Sequence, residues 1–251
     1  MSKLALITGA SSGIGKATAE TLADLGINLI LCGRRLDRLE ALQESLSSKV
    51  QVHTLTFDVR KLEEVENALH SLSAELQNID ILINNAGNAH GLGPIQDGSV
   101  EDWDAMMDSN VKGLLYVSKV IMPWMIAKKQ GHIVNISSIA GKATYPNGNV
   151  YCASKAAVEA ISEGMRLDLN PHGIKVTNVA PGAVETEFSL VRFKGDEQRA
   201  DSVYQGFQPL VAKDIADVIA FAVSRPAHVV MADITILPVA QASATVIKRN
   251  I

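Results

Sequence analysis

Seven short apolar segments, separated by longer amphipathic ones, constrain the fold of this chain more than any other feature. The segments are nearly continuous in Ile, Val and Leu, which is typical of strands buried on both faces. They span residues 4–7, 27–32, 52–57, 79–84, 132–137, 174–179 and 232–237. Between them, stretches such as GKATAETLADLG carry apolar residues three and four positions apart, as amphipathic helices do. The pattern predicts an α/β fold: a doubly wound parallel sheet with helices on both faces.

Length and composition favour one domain and argue against several classes of protein. At 251 residues the chain is near the upper size of a single hydrophobic core, so residues 1–251 are predicted to form one domain. The net charge of −4 and the scattered basic residues argue against a nucleic-acid partner. No apolar run reaches about 18 residues, so no membrane span is expected. Two distant cysteines, Cys32 and Cys152, suit a reducing compartment and predict a cytoplasmic protein.

The segment LALITGASSGIG at residues 4–15 has the pattern of a strand, a glycine-rich turn and a helix. Glycines let the backbone turn tightly and approach a pyrophosphate, whose charge is met by N–H groups at the helix N-terminus. The spacing GxxxGxG differs from the commoner GxGxxG but serves the same purpose, and an ordinary strand-to-helix turn is the alternative. The predicted phosphate-binding residues are Gly9, Ser11, Ser12, Gly13, Ile14 and Gly15.

The same turn also fits GxSxG, the nucleophile elbow of a hydrolase. That fold takes one oxyanion N–H group from a loop earlier in the chain. Almost nothing precedes the first strand here, so connectivity argues against a hydrolase.

The second predicted strand ends in LCGRR, where NAD-binding folds usually carry an acidic residue that holds the ribose hydroxyls. This chain has Arg34 and Arg35 instead. A carboxylate would repel a 2′-phosphate, whereas guanidinium groups bind one through paired N–H donors. The sequence therefore favours NADP(H), the alternative being that the arginines pair with nearby acids such as Asp37 or Glu40.

Tyr151 and Lys155 lie four residues apart in YCASK, which places them on one face of a predicted helix. An ammonium about 4 Å away, at an effective dielectric of about 20, stabilises a phenolate by roughly 4 kcal/mol before desolvation is subtracted. We therefore expect Lys155 to lower the pKa of Tyr151 toward the neutral range that suits an acid–base catalyst. For these two residues alone, an exposed amphipathic pair is the alternative.

Six motifs in order make the chain resemble the short-chain dehydrogenase/reductase family over nearly its whole length. They are TGASSGIG at 8–15, NNAG at 84–87, Asn110 in SNVKG, Ser138 in NISSIAG, YCASK at 151–155 and PGAVET at 181–186. The resemblance implies a Rossmann-type sheet with strand order 3-2-1-4-5-6-7 and an oxidoreductase acting on a CH–OH group. It also implies a homotetramer assembled through the helices that carry Asn110 and Tyr151.

The resemblance assigns roles to further residues. Tyr151 is the acid–base residue, Ser138 holds the reacting oxygen, Asn110 holds a water in the proton relay, and Lys155 also binds the nicotinamide ribose. The remaining cofactor contacts are expected at Asp58, Val59, Asn85, Ala86, Gly87, Pro181, Gly182, Val184 and Thr186. The six histidines form no HxH or HExxH pattern, so no metal is predicted.

The C-terminal third is similar to the NADP-dependent 3-hydroxy acid dehydrogenase subgroup, which acts on L-serine, L-allo-threonine or 3-hydroxypropionate-like acids. The carriers include TEFSLVRFKGD at 186–196 and ITILPVAQ at 234–241. Residues 186–210 lack strand signal and are predicted to form an irregular or helical excursion that caps the substrate. A carboxylate substrate needs a cation, and Arg192 or Lys194 in this excursion could supply it.

Two other functions remain open from the sequence. One is a carbonyl reductase of another small ketone, a sugar or a steroid. The other is a non-catalytic NADP-binding sensor, against which the intact Ser138, Tyr151 and Lys155 argue.

Overall fold

The computed structural model describes residues 2–250 and contains the predicted seven-stranded parallel sheet. In chain order the strands are β1 (Leu4–Thr8), β2 (Asn28–Gly33), β3 (Val52–Thr56), β4 (Ile81–Asn84), β5 (Gly131–Ile136), β6 (Ile174–Pro181), β7 (Val184–Glu185), β8 (Leu210–Val211) and β9 (Asp233–Ile236). The large sheet has the order β3-β2-β1-β4-β5-β6-β9, which is the predicted order with β9 as its seventh strand. Each of the seven predicted segments forms a strand whose ends differ from the prediction by one or two residues.

Helices cover both faces of this sheet. They are α1 (Gly13–Asp24), α2 (Leu36–Leu46), α3 (Leu62–His70), α4 (Val100–Met107), α5 (Gly113–Lys128), α6 (Ile139–Lys142), α7 (Asn149–Leu169), α8 (Phe188–Arg192), α9 (Glu197–Ser202) and α10 (Ala212–Val223). Short 3₁₀ turns occupy Ile95–Asp97 and Asn170–His172, and a π-helical turn occupies Asp108–Lys112. Among residues 2–250, no helix combines the length and apolarity needed to cross a bilayer.

The alternation of side chains along the strands divides the core into two clusters. In β1, Ala5 and Ile7 pack with residues of α1, α2 and α10. Leu4 and Leu6, on the opposite face, pack with residues of α3, α5 and α7. Both sets are buried, which explains why the strand segments are apolar at consecutive positions.

The strand order reverses beside β1, and this reversal determines where a ligand can bind. The connection from β1 leads outward to β2 and β3, whereas the chain returns to pair β4 with the other side of β1. The loops that follow β1 and β4 therefore diverge and leave a crevice at the carboxyl ends of the strands.

A short parallel pair, β7 with β8, closes the base of the predicted excursion. The chain between these strands forms α8 and α9 and contacts the loop after β4, where the Gly91 N–H group donates to the Arg192 carbonyl at 3.0 Å. The segment thus extends over the crevice from its far side.

A buried polar network fixes the helices that carry the predicted catalytic residues. The side-chain amide of Asn84 in β4 donates to Ser118 of α5 and to Asn135 of β5, both at 2.9 Å. The amide of Asn135 donates in turn to Ser162 of α7 at 2.9 Å. All four side chains are buried, so water cannot replace a hydrogen bond that a substitution removes from this network.

We predict that Asn135→Ala lowers the free energy of unfolding by about 2–4 kcal/mol, because it creates a small cavity and removes the buried bonds that Asn135 makes with Asn84 and Ser162. Urea unfolding followed by circular dichroism measures this change. Asn28→Ala is the matched control, since Asn28 makes its side-chain hydrogen bonds in an exposed position at the amino end of β2. Equal losses in the two variants would show that the network does not stabilise the fold.

Candidate active site

A cavity of about 900 Å³ lies at the carboxyl ends of the strands and brings most of the predicted site residues together. Those that line it are Gly9, Ser11, Ser12, Gly13, Ile14, Arg34, Arg35, Asp58, Val59, Asn85, Ala86, Gly87, Ser138, Tyr151, Lys155, Pro181, Gly182, Val184, Thr186 and Arg192. Gly15 and Asn110 lie behind its wall. The described residues contain no group of three or more His, Cys, Asp or Glu placed to hold a metal ion.

The glycine-rich turn forms the phosphate end of the cavity. Gly9 and Gly13 adopt φ values of +66° and +52°, a backbone region that side chains disfavour. A Cβ atom at Gly15 would lie 2.3 Å from the Gly9 carbonyl oxygen, so this third glycine lets α1 pack directly beneath the turn. Its contribution is to the shape of the turn, because it does not face the cavity.

The turn fits the pyrophosphate of a dinucleotide. A Cβ atom at Gly9 would lie 2.9 Å from the side-chain amide nitrogen of Asn85, so the turn has no room for a side chain at this position. The Asn85 amide is held by the carbonyls of Thr8 at 2.9 Å and Gly9 at 3.2 Å. The N-terminus of the twelve-residue helix α1 faces the turn and supplies free N–H groups and positive potential.

Arg34 and Arg35 follow β2 and line the cavity beside this turn. The Arg35 guanidinium donates to the hydroxyl of Ser11 at 3.0 Å and to that of Ser12 at 2.8 Å. It also pairs with the Glu187 carboxylate at 3.2 Å. The alternative partners from the sequence, Asp37 and Glu40, are therefore not the ones that Arg35 takes in the folded chain.

Asp58, after β3, forms an ion pair with Arg60, two residues further along the chain. The Arg60 guanidinium donates to both carboxylate oxygens of Asp58, at 3.0 and 2.9 Å from Nε. Burial raises the pKa of the Asp58 carboxyl, but the hydrogen bonds from Arg60 outweigh it and the pKa lies below its ordinary value. Asp58 is thus an anion at neutral pH with its charge already paired.

Asn110 lies in the π-helical turn that leads into α5 and is almost fully buried. Its amide oxygen accepts from the Asn88 N–H group at 2.8 Å, and its amide nitrogen donates to the Asn88 carbonyl and to Ser154, both at 2.9 Å. The side chain therefore clamps the loop after β4 to helix α7. A relay water at Asn110 would have to bind its backbone, because the amide is already used.

Ser138, Tyr151 and Lys155 meet at the centre of the cavity. Ser138 is the N-cap of α6, and its hydroxyl accepts from the Ala140 N–H group at 3.1 Å. Tyr151 and Lys155 begin α7 and are both buried. The Lys155 ammonium donates to the Ile136 carbonyl at 2.9 Å. A Cβ atom at Gly87 would lie 3.5 Å from the ammonium nitrogen, so glycine leaves the space before it open.

The expectation that the pKa of Tyr151 lies near the neutral range is wrong. Burial raises the pKa of the phenol well above its ordinary value, and the Tyr145 phenol adds to this. A hydrogen bond from Ser138 and the charge of Arg192 lower it, but by less. The sequence estimate gave the attraction before desolvation was subtracted, and desolvation is the larger effect for a fully buried phenol.

Lys155 is itself affected by the same burial. Desolvation lowers the pKa of its ammonium to about 8, and the Glu159 carboxylate raises it only in part. The lysine therefore carries its charge at neutral pH and loses it within the mildly alkaline range.

The cation beside Tyr151 is Arg192, at the end of α8. Its guanidinium carbon lies 5.1 Å from the centroid of the Tyr151 ring and 5.7 Å from that of Tyr145. It donates to the Tyr145 hydroxyl at 2.7 Å. Phe188 of the same helix packs on Tyr151 with the ring centroids 5.6 Å apart. Lys194, by contrast, pairs with Asp102 at 3.0 Å.

Several residues of the site carry no signal that the sequence analysis used. Tyr145 lies in a loop between Ser138 and Tyr151, and its contact with Arg192 joins positions 47 apart in the chain. Arg38 could have been noticed as lying one turn after Arg35 on α2. Nothing in the spacing of Glu187 or Gln241 points to the cavity that both of them line.

The chain belongs to the short chain dehydrogenase family, whose sequence model matches residues 3–196. It is 43% identical to sulfoacetaldehyde reductase 2 of Chromohalobacter salexigens over the full length of both proteins. It is 41% identical to an NADP-dependent 3-hydroxy acid dehydrogenase of Escherichia coli K12, covering 96% of this chain and 97% of that one. The structure of a serine dehydrogenase in closed form with NADP+ superposes with a TM-score of 0.92 at 41% identity, covering 96% and 97%. The predicted family, enzyme class and fold are thereby confirmed.

We predict a pH-dependent stability difference between the wild type and Lys155→Met. Because the folded pKa of Lys155 is about 8 and the unfolded value is near 10.5, the unfolded chain binds more protons between these limits. Wild-type stability should therefore rise relative to the Met variant between pH 7 and pH 10, by on the order of 1–3 kcal/mol. Urea titrations at each pH measure it.

Lys119→Met is the control for loss of one lysine charge, since Lys119 is exposed on α5. Parallel stability curves for wild type and Lys155→Met would contradict the burial argument.

Proposed function

We propose that this protein is an NADP(H)-dependent oxidoreductase that interconverts small 3-hydroxy acids and the corresponding carbonyl compounds. One observation carries the choice of an acidic substrate: the Arg192 guanidinium lines the cavity beside the ring of Tyr151, 5.1 Å from its centroid. A substrate with its reacting oxygen at Ser138 and Tyr151 would have its acid group within reach of this cation.

The preference for NADP(H) is supported by charge and by relatives. Arg34 and Arg35 line the cavity where β2 ends, and a 2′-phosphate would bind guanidinium groups there. The 3-hydroxy acid dehydrogenase relative is described as NADP-dependent, and the serine dehydrogenase structure holds NADP+. The pyrophosphate would lie against Gly9 and Gly13, and the ribose of the nicotinamide near Lys155.

When bound, NADP(H) would supply the acceptor or donor of the hydride that the alcohol or carbonyl carbon exchanges. The Ser138 hydroxyl donates a hydrogen bond to the reacting oxygen and orients it. Tyr151 takes the hydroxyl proton during oxidation and gives it back during reduction. Because burial raises the pKa of Tyr151, its phenol is protonated at neutral pH and can donate to the oxygen of a carbonyl substrate.

The positive charges near Tyr151 adjust this balance. Arg192 already lowers the pKa of the phenol, and a carboxylate bound to Arg192 would cancel part of that effect. Lys155 is a second cation, one turn after Tyr151 on α7, and its ammonium is held by the Ile136 carbonyl. Its charge is retained below about pH 8.

The acid group of the substrate could be a carboxylate or a sulfonate. Sulfoacetaldehyde has its aldehyde carbon one methylene away from the sulfonate, and a 3-oxo acid has the same spacing to its carboxylate. Both groups accept paired hydrogen bonds from a guanidinium. The reductase relative makes the sulfonate a second candidate, whereas ketones, sugars and steroids without an acid group would bring no anion to the Arg192 guanidinium.

A substrate panel tests this proposal. NADPH-dependent reduction of malonate semialdehyde and sulfoacetaldehyde, and NADP-dependent oxidation of L-serine, L-allo-threonine, 3-hydroxypropionate and 3-hydroxybutyrate, are compared with uncharged butanone. NADH and NAD are run in parallel. We expect the acids to exceed butanone in kcat/KM by about tenfold or more, from one charged hydrogen-bonded pair. A preference for butanone would refute the acidic substrate.

For catalysis, we predict that Tyr151→Phe lowers kcat by about 10²–10⁴, because the proton donor is removed while the ring and its packing remain. NADPH binding, measured by fluorescence titration, should change less than about threefold. Full turnover in this variant would show that Tyr151 is not the proton donor. NADPH binding without turnover in the wild type would favour the non-catalytic sensor.

For substrate binding, Arg192→Ala should raise KM for the acids by about 10- to 100-fold, the loss of one charge-assisted contact. Lys194→Ala is the comparison: Lys194 also lines the cavity but is paired with Asp102 at 3.0 Å, so it should raise KM less than Arg192→Ala does. If neither variant changes KM for the acids, the carboxylate is bound elsewhere.

We also propose a homotetramer that forms through α5, which follows Asn110, and α7. Leu115 on α5 and Leu167 on α7 are 40% and 71% exposed, and a second copy of the chain would cover them. Light scattering should then give four times the 26.8 kDa of one chain. A cytoplasmic location stays a prediction from the cysteine content.

A further inference from the structure

Glu187 is held at the phosphate end of the cavity although it belongs to the excursion that caps the other end. Its carboxylate accepts from the Arg38 guanidinium at 2.8 and 3.1 Å and pairs with Arg35 at 3.2 Å. The same Arg35 guanidinium donates to Ser11 and Ser12 in the glycine-rich turn. One carboxylate therefore connects the excursion with the turn where the cofactor phosphates are proposed to bind.

A 2′-phosphate and the Glu187 carboxylate would need the same donors. Arg35 has a limited fork of N–H groups, and in this structure they are directed at Ser11, Ser12 and Glu187. Two anions around one guanidinium also repel each other. Glu187 lines the cavity, so an incoming phosphate meets its charge directly.

We propose that Glu187 is a cofactor-specificity residue: its carboxylate occupies the 2′-phosphate site on Arg35 and is exchanged for the phosphate when NADP(H) binds. This inference rests on the proposed NADP(H) dependence. Arg38 does not line the cavity and can keep the carboxylate after the exchange. A cofactor that lacks the 2′-phosphate leaves the Arg35–Glu187 pair undisturbed, so Glu187 weakens NADP(H) binding and not NAD(H) binding.

The exchange has a direct route to the reacting end of the cavity. Thr186, the preceding residue, lies 3.5 Å from the position of a Cβ atom at Gly13. Phe188, the following residue, packs on the ring of Tyr151. Three consecutive residues thus contact the glycine-rich turn, the arginines and the catalytic tyrosine. The exchange at the middle residue therefore takes place directly before α8, the helix that ends in Arg192.

Direct binding tests the inference without reference to turnover. NADPH and NADH are titrated into the wild type, Glu187→Gln and Glu187→Ala, and the dissociation constants are read from cofactor fluorescence. Since the pair is about half exposed, its loss should tighten NADPH binding by about two- to fivefold in both variants. NADH binding should stay the same. The tightening should shrink as salt is raised to about 0.5 M, because exposed charges are screened.

Glu185→Gln is the matched control, since it removes an exposed carboxylate two residues away on β7. It should leave the NADPH constant unchanged. Unchanged or weaker NADPH binding in the Glu187 variants, or an equal change for NADH, would overturn the inference. If the wild type binds NADH as tightly as NADPH, the proposed cofactor preference itself fails.

Discussion

All strands of the large sheet run in one direction, and the site depends on this constraint. Parallel strands require a crossover connection after each strand. Every strand therefore ends at the same edge of the sheet, and every connection crosses one face of the sheet on its way back to the other edge. The loops after β1, β2, β3, β4, β5 and β6 consequently meet around one crevice. Residues as distant in the chain as Gly9 and Arg192 line a single cavity because the sheet collects their loops, and not because their segments are adjacent.

Within that cavity, burial and charge act against each other. Desolvation raises the pKa of Tyr151 and lowers that of Lys155 to about 8, so each change opposes the charged form of the group. Arg192 is placed where it offsets part of the effect on the phenol, and the Ile136 carbonyl holds the ammonium. The site is thus arranged to hold a neutral phenol beside a cationic lysine at neutral pH. A bound cofactor and an acidic substrate would alter this balance, since both bring charge into the same enclosed space.

The sequence predicted the fold well because its signal is local and repeated. Each apolar segment identified a strand, and the glycine spacing at 9–15 located the turn beneath which α1 packs. The tertiary partners were harder to predict. The sequence offered Asp37 and Glu40 only as alternative partners for the arginines after β2, whereas Arg35 pairs with Glu187, which is 152 residues away. Asn110 was expected to hold a water, yet its amide is consumed by Asn88 and Ser154. Such pairings depend on which side chains the fold brings within about 3 Å, and spacing along the chain carries no record of that.

The sequence by itself determined the parallel α/β architecture, the order of its strands through the family resemblance, and which side chains meet at the carboxyl edge. These follow from hydrophobic periodicity and from motifs whose chemistry is contained in a few consecutive residues. Only the tertiary structure decided the electrostatic state of the site. Packing between distant segments buries Tyr151, brings Arg192 to its ring and brings Glu187 to Arg35. Desolvation and charge pairing depend on three-dimensional distance, so they appear only after the chain has folded.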